Sequence, residues 1–196
     1  MLRRTFIWST PGSFLVLGAA LSGCTTTSSS EASRGQQIEK RRAIDAGVDS
    51  TLARLYTIAS GSRELVGKAR GVLVFPSVFD AGFVVGGQYG EGSLRVGGHT
   101  VGYYSTATGS IGWQIGAQSR AIVFLFMTEE SLNRFRSTDG WSAGGDASVA
   151  VLKIGANGNL DTSTATGQVN AFVLTNNGLM AGASLQGTKV TRLASL

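Results

Sequence analysis

Glycine recurs through short apolar stretches from residue 71 to residue 187, and this pattern constrains the fold more than any other feature. The 196 residues include 28 glycines, about twice the usual 7% share, without the Gly-X-Y repeat of collagen. Apolar and polar side chains alternate within the stretches, which predicts β-strands, and the glycines among them indicate bulges and tight curvature. The sequence therefore predicts a strongly curved, mainly antiparallel, Gly-rich sheet.

Two of the predicted strands have distinct patterns. The apolar run 71–75, GVLVF, is expected to end at Pro76, because proline cannot donate to a strand ladder. The continuous apolar run 121–127, AIVFLFM, predicts a buried central strand and is too short to span a bilayer. Further strands are predicted within residues 81–96, 100–116, 139–155, 168–175 and 178–187.

Helical patterns lie before and within the strand region. A long N-terminal amphipathic helix is predicted over residues 38–60, ending at Gly61, and a short second helix over Arg63–Ala69. A third helix follows Thr128, which caps it, while Leu132 and Phe135 turn inward. The fold class is therefore α+β. The apolar stripe of the long helix consists of Ile44, Val48, Leu52, Leu55 and Ala59.

The N-terminus has the pattern of an export signal. Arg3 and Arg4 precede an apolar run over residues 14–21, and no acidic residue occurs before Glu31, which is typical of a secretory signal peptide. The segment Leu21-Ser22-Gly23-Cys24 is similar to the bacterial lipobox, in which the cysteine is lipidated before cleavage. Residues 1–23 are thus predicted as a signal peptide, exported by either the general or the twin-arginine route.

The residues after the signal predict a lipid-anchored envelope protein. Residues 24–37 comprise the lipidated Cys24 and a polar, low-complexity segment that predicts a flexible tether. Thr25 stands where an aspartate would retain a lipoprotein in the inner membrane, so the outer membrane is favoured, with the protein facing the periplasm or the cell surface. The remaining residues, 38–196, are predicted to form one domain.

The sequence offers no apparatus for catalysis or metal binding. One cysteine and one histidine cannot supply a structural zinc site or an internal disulfide. His99 follows two glycines and predicts a hairpin turn or an exposed bend, and Asp80, Asp139 and Asp146 adjoin glycine or alanine near predicted strand ends, where turn roles are expected. We therefore expect no enzyme, no cofactor and no nucleic-acid partner.

Positive charge is concentrated in the helical segments. Residues 31–70 hold eight basic and five acidic side chains, whereas residues 71–196 hold seven of each. This surplus is either an ordinary solvated face or a site for anionic headgroups, each basic group contributing about 1 kcal/mol near such a surface. The candidate lipid-binding residues are Lys40, Arg41, Arg42, Arg54, Arg63, Lys68 and Arg70.

The Gly-rich strands carry a family resemblance. The segments GVLVFPSVFDAGFVVGGQYGEG, GYYSTATGSIGWQIGAQ, FLFMTEESLNRF, GWSAGGDASVAV and GLMAGASLQG resemble the SYLF domain family, also called Ysc-type, in order from about residue 40 to the C-terminus. The resemblance implies a non-enzymatic α and β domain that binds anionic phospholipids, with actin binding in some fungal relatives. It places the lipid contact on the segment 38–59.

Two functions follow from these observations. The first is an envelope lipoprotein whose domain binds an anionic phospholipid membrane through the basic helical arm. The second is a protein-interaction or structural scaffold that presents a sheet edge or an apolar patch to an envelope protein. The sequence leaves open whether the stripe Ile44–Ala59 packs in the core or inserts into a membrane, and core packing is favoured.

Overall fold

The structure is a computed structural model that describes residues 28–81, 85–111, 119–153, 160, 167–180 and 183–196. The predicted signal peptide, lipobox and Cys24 lie outside these residues. Three helices and nine strands are present in the described part of the chain. The helices are α1 (Ser28–Ile58), α2 (Ser62–Lys68) and α3 (Glu129–Ser137). The strands are β1 (Gly71–Ala81), β2 (Val85–Val96), β3 (His99–Ile111), β4 (Ser119–Phe126), β5 (Trp141–Ser142), β6 (Val149–Val151), β7 (Val169–Thr175), β8 (Gly178–Leu179) and β9 (Lys189–Arg192).

These strands form one curved sheet in the order β5-β9-β3-β2-β1-β4-β7-β6, with β8 paired to β7. Among the described strands, β6 and β7 pair in parallel and the other neighbours are antiparallel. Gly97 and Gly98 form the tight β2–β3 turn at φ 58° and 84°, values that glycine adopts without strain. The predicted α+β fold with a curved, mainly antiparallel sheet is confirmed.

Helix α1 packs its apolar stripe against β1 and β2. All five stripe residues from Ile44 to Ala59 are buried, with exposed fractions of 9% or less, so the stripe is core. The helix begins at Ser28, and residues 28–37 are therefore helical rather than part of a flexible tether. Once a helix is nucleated, each further residue adds a hydrogen bond, so the helix extends through this segment although its four serines and Gly35 have low helix propensity.

Strand β1 does not end at Pro76 as its sequence predicts. It continues to Ala81 through a bulge, where the register with β2 shifts between Val74 and Ser77 and the register with β4 shifts between Phe75 and Val78. A bulge leaves a residue unpaired, so the missing N–H of proline costs no ladder hydrogen bond there. The side chains after the bulge therefore lie on the opposite face of the sheet from the one that strict alternation predicts.

Each face of the sheet carries its own core. On the α1 face, the stripe packs with Val72, Val74, Val123 and Phe172, among others. On the opposite face, α3 packs on a core that contains several aromatic side chains. Helix α3 is capped as predicted, because Thr128 Oγ1 accepts a hydrogen bond from Ser131 N at 3.1 Å.

The C-terminal half of the chain has shorter strands than its sequence predicts. Within residues 139–155, the described strand segments are Trp141–Ser142 and Val149–Val151, and within 178–187 the strand is Gly178–Leu179. Strand β9 was not predicted. Its burial pattern alternates around Val190, but four residues carry too little periodicity to be recognised in the sequence.

Gly92 is expected to be essential for the close approach of β2 to the bulge in β1. A Cβ atom at residue 92 would lie 2.0 Å from the carbonyl oxygen of Val74, a backbone atom that cannot move aside without distorting the strand. We predict that Gly92→Ala lowers the free energy of unfolding by about 1–3 kcal/mol, the usual cost of overpacking. Urea unfolding followed by circular dichroism measures this change.

Gly67→Ala is the matched control, because the same methyl group on α2 meets no atom within 4 Å. Alanine favours a helix over glycine by up to about 1 kcal/mol, so this variant should be as stable as the parent or more stable. Equal effects of the two substitutions would contradict the close approach at Gly92.

Candidate functional site

Asp45 of α1 hydrogen-bonds to residues of β2 and β3 near the turn that joins these two strands. Its carboxylate accepts hydrogen bonds from Ser93 Oγ at 3.1 Å, Thr100 Oγ1 at 2.9 Å and Tyr103 OH at 2.7 Å. Partial burial, together with the hydrogen bond to Asp45 and the negative charge of that carboxylate, raises the pKa of Tyr103 to about 12. The phenol therefore stays protonated and remains a donor at neutral pH.

A second polar contact lies one turn further along the helix. Arg95 Nη1 donates to the carboxylate of Asp49, and Arg95 Nη2 donates to the backbone carbonyl of Asp45 at 3.3 Å. The side chain of Arg95 is 16% exposed, so its charge is largely occupied within the protein. Together with the buried stripe, these contacts fix which face of α1 points to solvent.

The first three candidate cations lie in the N-terminal half of α1. Lys40 Nζ contacts Glu91 at 2.7 Å, and Arg42 contacts the glutamate three residues before it at 2.9 Å. The guanidinium of Arg41 lies over the ring of Tyr103, 5.8 Å from its centroid. All three side chains belong to exposed residues, and exposed ion pairs typically contribute only about 0–1 kcal/mol. These cations can therefore exchange their partners for an external anion at low cost.

The other candidate cations lie beyond the middle of α1. Arg54 is exposed and makes no hydrogen bond or ion pair with any described residue. Arg63 lies 4.2 Å from the ring centroid of Tyr56. Lys68 contacts the glutamate four residues before it at 2.6 Å, and Arg70 Nε lies 3.8 Å from Glu129.

The seven candidates therefore form two groups rather than one site. Sixteen residues of helix separate Arg42 from the end of α1 at Ile58, which corresponds to roughly 24 Å at 1.5 Å per residue. Lys40, Arg41 and Arg42 form the N-terminal group, and Arg63, Lys68 and Arg70 form the group around α2. Arg54 stands between them.

The N-terminal group borders an open part of the α1-side sheet face. Phe79, Tyr89 and Ala107 occupy matching register positions on β1, β2 and β3, and we call these three residues the aromatic row. Phe79 is 58% exposed and Tyr89 is 51% exposed, although most large apolar side chains of the sheet are buried. The aromatic row therefore offers an apolar surface that the described helices leave uncovered.

A groove of about 390 Å³ joins the aromatic row to α1. Its lining is mostly apolar and includes Ile44, Pro76 and Phe79, with Lys40 and Glu91 at its polar side. The volume lies within the ~300–1,000 Å³ range of small-ligand pockets. Cationic and apolar groups thus meet at one place on the surface.

Glu91 holds the polar side of this groove together. It accepts hydrogen bonds from Lys40 Nζ and Tyr89 OH, each at 2.7 Å. Partial burial of the phenol, aided by the Glu91 carboxylate, raises the pKa of Tyr89 to about 12. Tyr89 can therefore still pair with Glu91 if Lys40 turns toward another anion.

Sequence reasoning missed Phe79 and Tyr89 as surface residues. Strict alternation from Val72 and Val74 places Phe79 on the opposite face, in the α3-side core. The bulge at Pro76 moves it to the α1 side, because a one-residue shift exchanges the faces of a strand. Proline within an apolar strand is the signal that could have indicated the bulge.

The residues considered for catalysis are not brought together. His99 begins β3 after the tight turn and is exposed, as is Asp139. Asp146 accepts hydrogen bonds from Ser142 N and Oγ at 2.7 and 3.0 Å, which is a turn role. The side chain of Asp80 lies outside the described residues.

His99, Asp139 and Asp146 line neither the groove beside α1 nor the 380 Å³ cavity at Ala143, Val149 and Leu185. Where the structure describes the chain, no three potential ligands among His, Cys, Asp and Glu are grouped to hold a metal ion. The helices of that same part include none that is both long and apolar enough to cross a membrane.

Comparison with known proteins gives one family match. Residues 107–195 match the Ysc84 family, described as Las17-binding protein actin regulator. This matches the resemblance inferred from the sequence, over a shorter stretch than residues 40–196. No curated protein matches the chain.

Proposed function

We propose that the protein is an envelope lipoprotein whose domain, which matches the Ysc84 family model over residues 107–195, binds anionic phospholipids. The family description supports a binding domain in general. The phospholipid partner, the lipid on Cys24 and the envelope location are the specific parts of the proposal. It includes no catalytic step, no cofactor and no nucleic acid.

The observation that carries this proposal is the meeting of exposed cations with exposed aromatic side chains at the N-terminal half of α1. Lys40, Arg41 and Arg42 supply charge for phosphate groups, and Phe79 and Tyr89 lie beside Lys40 with half or more of their surface exposed. Peripheral membrane binding combines buried apolar area with attraction to anionic lipids. The group around α2 has the same number of cations, but the exposed aromatic side chains among the described residues lie at the N-terminal group instead.

The helix acts as a fixed part of the domain in this proposal. Its apolar stripe is committed to the core, and Asp45 ties its polar flank to three hydroxyl groups. Inserting the stripe into a bilayer would require breaking both. The cations are therefore presented from the outer surface of a docked helix.

The lipid anchor supports the same orientation. Three residues lie between Cys24 and Ser28, where α1 begins, so an anchor at Cys24 would keep the N-terminal end of α1 close to the membrane. Two or three acyl chains hold a protein on a membrane far more firmly than a few surface charges do, since each buried methylene contributes about 0.8 kcal/mol. The anchor sets the location, and the cations select the lipid.

We predict that replacing Lys40, Arg41 and Arg42 with glutamine weakens binding to anionic vesicles about 100-fold, at roughly 1 kcal/mol per charge. The measurement is sedimentation of the predicted mature chain, residues 24–196 with Cys24→Ser, against vesicles of phosphatidylglycerol and phosphatidylcholine at several salt concentrations. Binding of the parent should fall with added salt and should be weak on neutral vesicles.

The matched control replaces Arg63, Lys68 and Arg70 with glutamine, which removes the same charge from the other end of the arm. This variant should lose much less affinity. Equal losses in the two triple variants would show that net charge alone governs binding, and equal sedimentation of the parent with neutral and anionic vesicles would contradict the proposal.

A protein-interaction or scaffold role is the second candidate, and the family description favours it because it names Las17 binding. The aromatic row would then be the contact for an envelope protein. Crosslinking in intact cells from a photoreactive group at Phe79 would recover one specific protein under this alternative, whereas recovery of lipid alone would argue against it.

A further inference from the structure

The geometry points to the aromatic row as the part of the domain that enters the interface of an anionic membrane. The row then lies parallel to the membrane surface. This inference rests on the phospholipid binding proposed above and names the apolar half of that site. Phe79 and Tyr89 are its anchors, and they lie on strands of the sheet rather than on the helical arm.

The first argument is the exposure of two aromatic side chains in direct register. Phe79 pairs with Tyr89 across β1 and β2, and Tyr89 pairs with Ala107 across β2 and β3. Side chains opposite each other in a sheet are about 5 Å apart, so the three form one continuous apolar strip. Aromatic side chains favour the headgroup level of a membrane, where an apolar ring and a polar tip are both accommodated.

The second argument is the position of cations at both ends of the strip. Lys189 on β9 pairs with Ala107, and the alternation around buried Val190 places it on the α1 side. Three strand spacings separate Phe79 from Lys189, which is about 14 Å. Lys189 is exposed and has no ion-pair partner among the described residues, and Lys40 stands at the other end beside the groove.

These two features fit a membrane surface. The aromatic row extends across three neighbouring strands, as a planar partner requires. The lysines at its two ends carry charge opposite to that of lipid phosphates. Glu91 is an acidic group at its edge, and its carboxylate accepts hydrogen bonds from Tyr89 OH and Lys40 Nζ. A protein partner at the same row is an outcome that the experiment distinguishes.

The test is possible because the chain has a single cysteine, which Cys24→Ser removes. In that background, the Phe79→Cys variant carries an environment-sensitive NBD label, and the Val101→Cys variant carries the same label as the control. Val101 is also an exposed apolar residue of the sheet, 41% exposed, but it lies next to the β2–β3 turn. We expect the label at residue 79 to increase in fluorescence severalfold and shift to the blue on phosphatidylglycerol vesicles, while the label at residue 101 changes little.

The outcomes separate this inference from the proposed function. Vesicle sedimentation without a fluorescence change at residue 79 would overturn the inference and leave phospholipid binding intact. Absence of sedimentation would overturn both. Equal changes at residues 79 and 101 would show that the domain has no preferred orientation, which also contradicts the inference.

A second pair of variants avoids the label. Phe79→Ser together with Tyr89→Ser should weaken vesicle binding about tenfold or more, because each exposed ring loses part of its transfer into an apolar environment. Val101→Ser together with Met180→Ser removes two other exposed apolar side chains and should change binding less than twofold. Circular dichroism of the parent and of both double variants establishes that each is folded, and an unchanged affinity of the Phe79→Ser, Tyr89→Ser variant would overturn the inference.

Discussion

Replacing Leu55 with aspartate is expected to lower the free energy of unfolding by about 4 kcal/mol or more. Leu55 has no exposed surface and lies in the centre of the core between α1 and the sheet. The substitution loses the apolar burial of leucine and leaves a carboxylate among apolar groups. Urea unfolding monitored by circular dichroism measures the change.

Ala53→Asp is the control for this substitution, because it adds the same charge two residues away on the exposed side of α1. Exposed substitutions usually change stability by about 0.5 kcal/mol or less. If Leu55→Asp were tolerated as well as Ala53→Asp, α1 would not be part of the core. The membrane-insertion alternative for its apolar stripe would then regain support.

The core packing of α1 was predictable because its pattern is local. Five apolar residues recur over Ile44–Ala59 at the period of a helix, so one face of the helix can be read from the sequence without knowing its partner. Thr128 and the inward-facing Leu132 and Phe135 are predictable for the same reason. In each case the residues that form the pattern belong to one helix and its cap.

The bulge at Pro76 was not predictable in the same way. Its effect depends on which strand lies opposite, since Gly92 of β2 permits the approach of Val74 and its neighbours. Val74 and Gly92 lie on different strands, and the pairing of two strands leaves no periodic pattern in the sequence of either one. The exposed position of Phe79 follows from that pairing, so the apolar half of the candidate site could not be located from sequence.

The sequence names the basic residues of the charged half of the site, but it indicates their positions only in part. The sequence indicated these cations as candidate lipid-binding residues, and the structure shows that they are exposed and lie in two groups along the arm. Helical spacing gives the direction of each side chain around the helix axis, but packing against the sheet determines which of these directions are buried. Lys40 therefore borders the groove, whereas Arg42 does not line it.

Trp141 is expected to be the strongest single anchor of the opposite core, and Trp141→Ala should lower the free energy of unfolding by about 4 kcal/mol. The residue is 1% exposed, and its ring contacts those of Phe124, Phe126 and Phe135 at centroid distances of 5.8, 6.1 and 5.5 Å. Aromatic pairs with edge-to-face geometry add about 0.5–1.5 kcal/mol each beyond their buried area. Thermal and urea unfolding measure the loss.

The control for Trp141→Ala is Phe79→Ala, which removes an aromatic ring that is 58% exposed on the other face of the sheet. It should change stability by less than about 1 kcal/mol, because surface substitutions away from packed groups have small effects. This contrast matters for function as well as for folding. If Phe79→Ala destabilised the protein as much as Trp141→Ala does, the ring would be part of the core, and a loss of membrane binding on its removal could be attributed to unfolding. A stable Phe79→Ala protein with weakened vesicle binding would instead separate the surface that binds from the core that supports it.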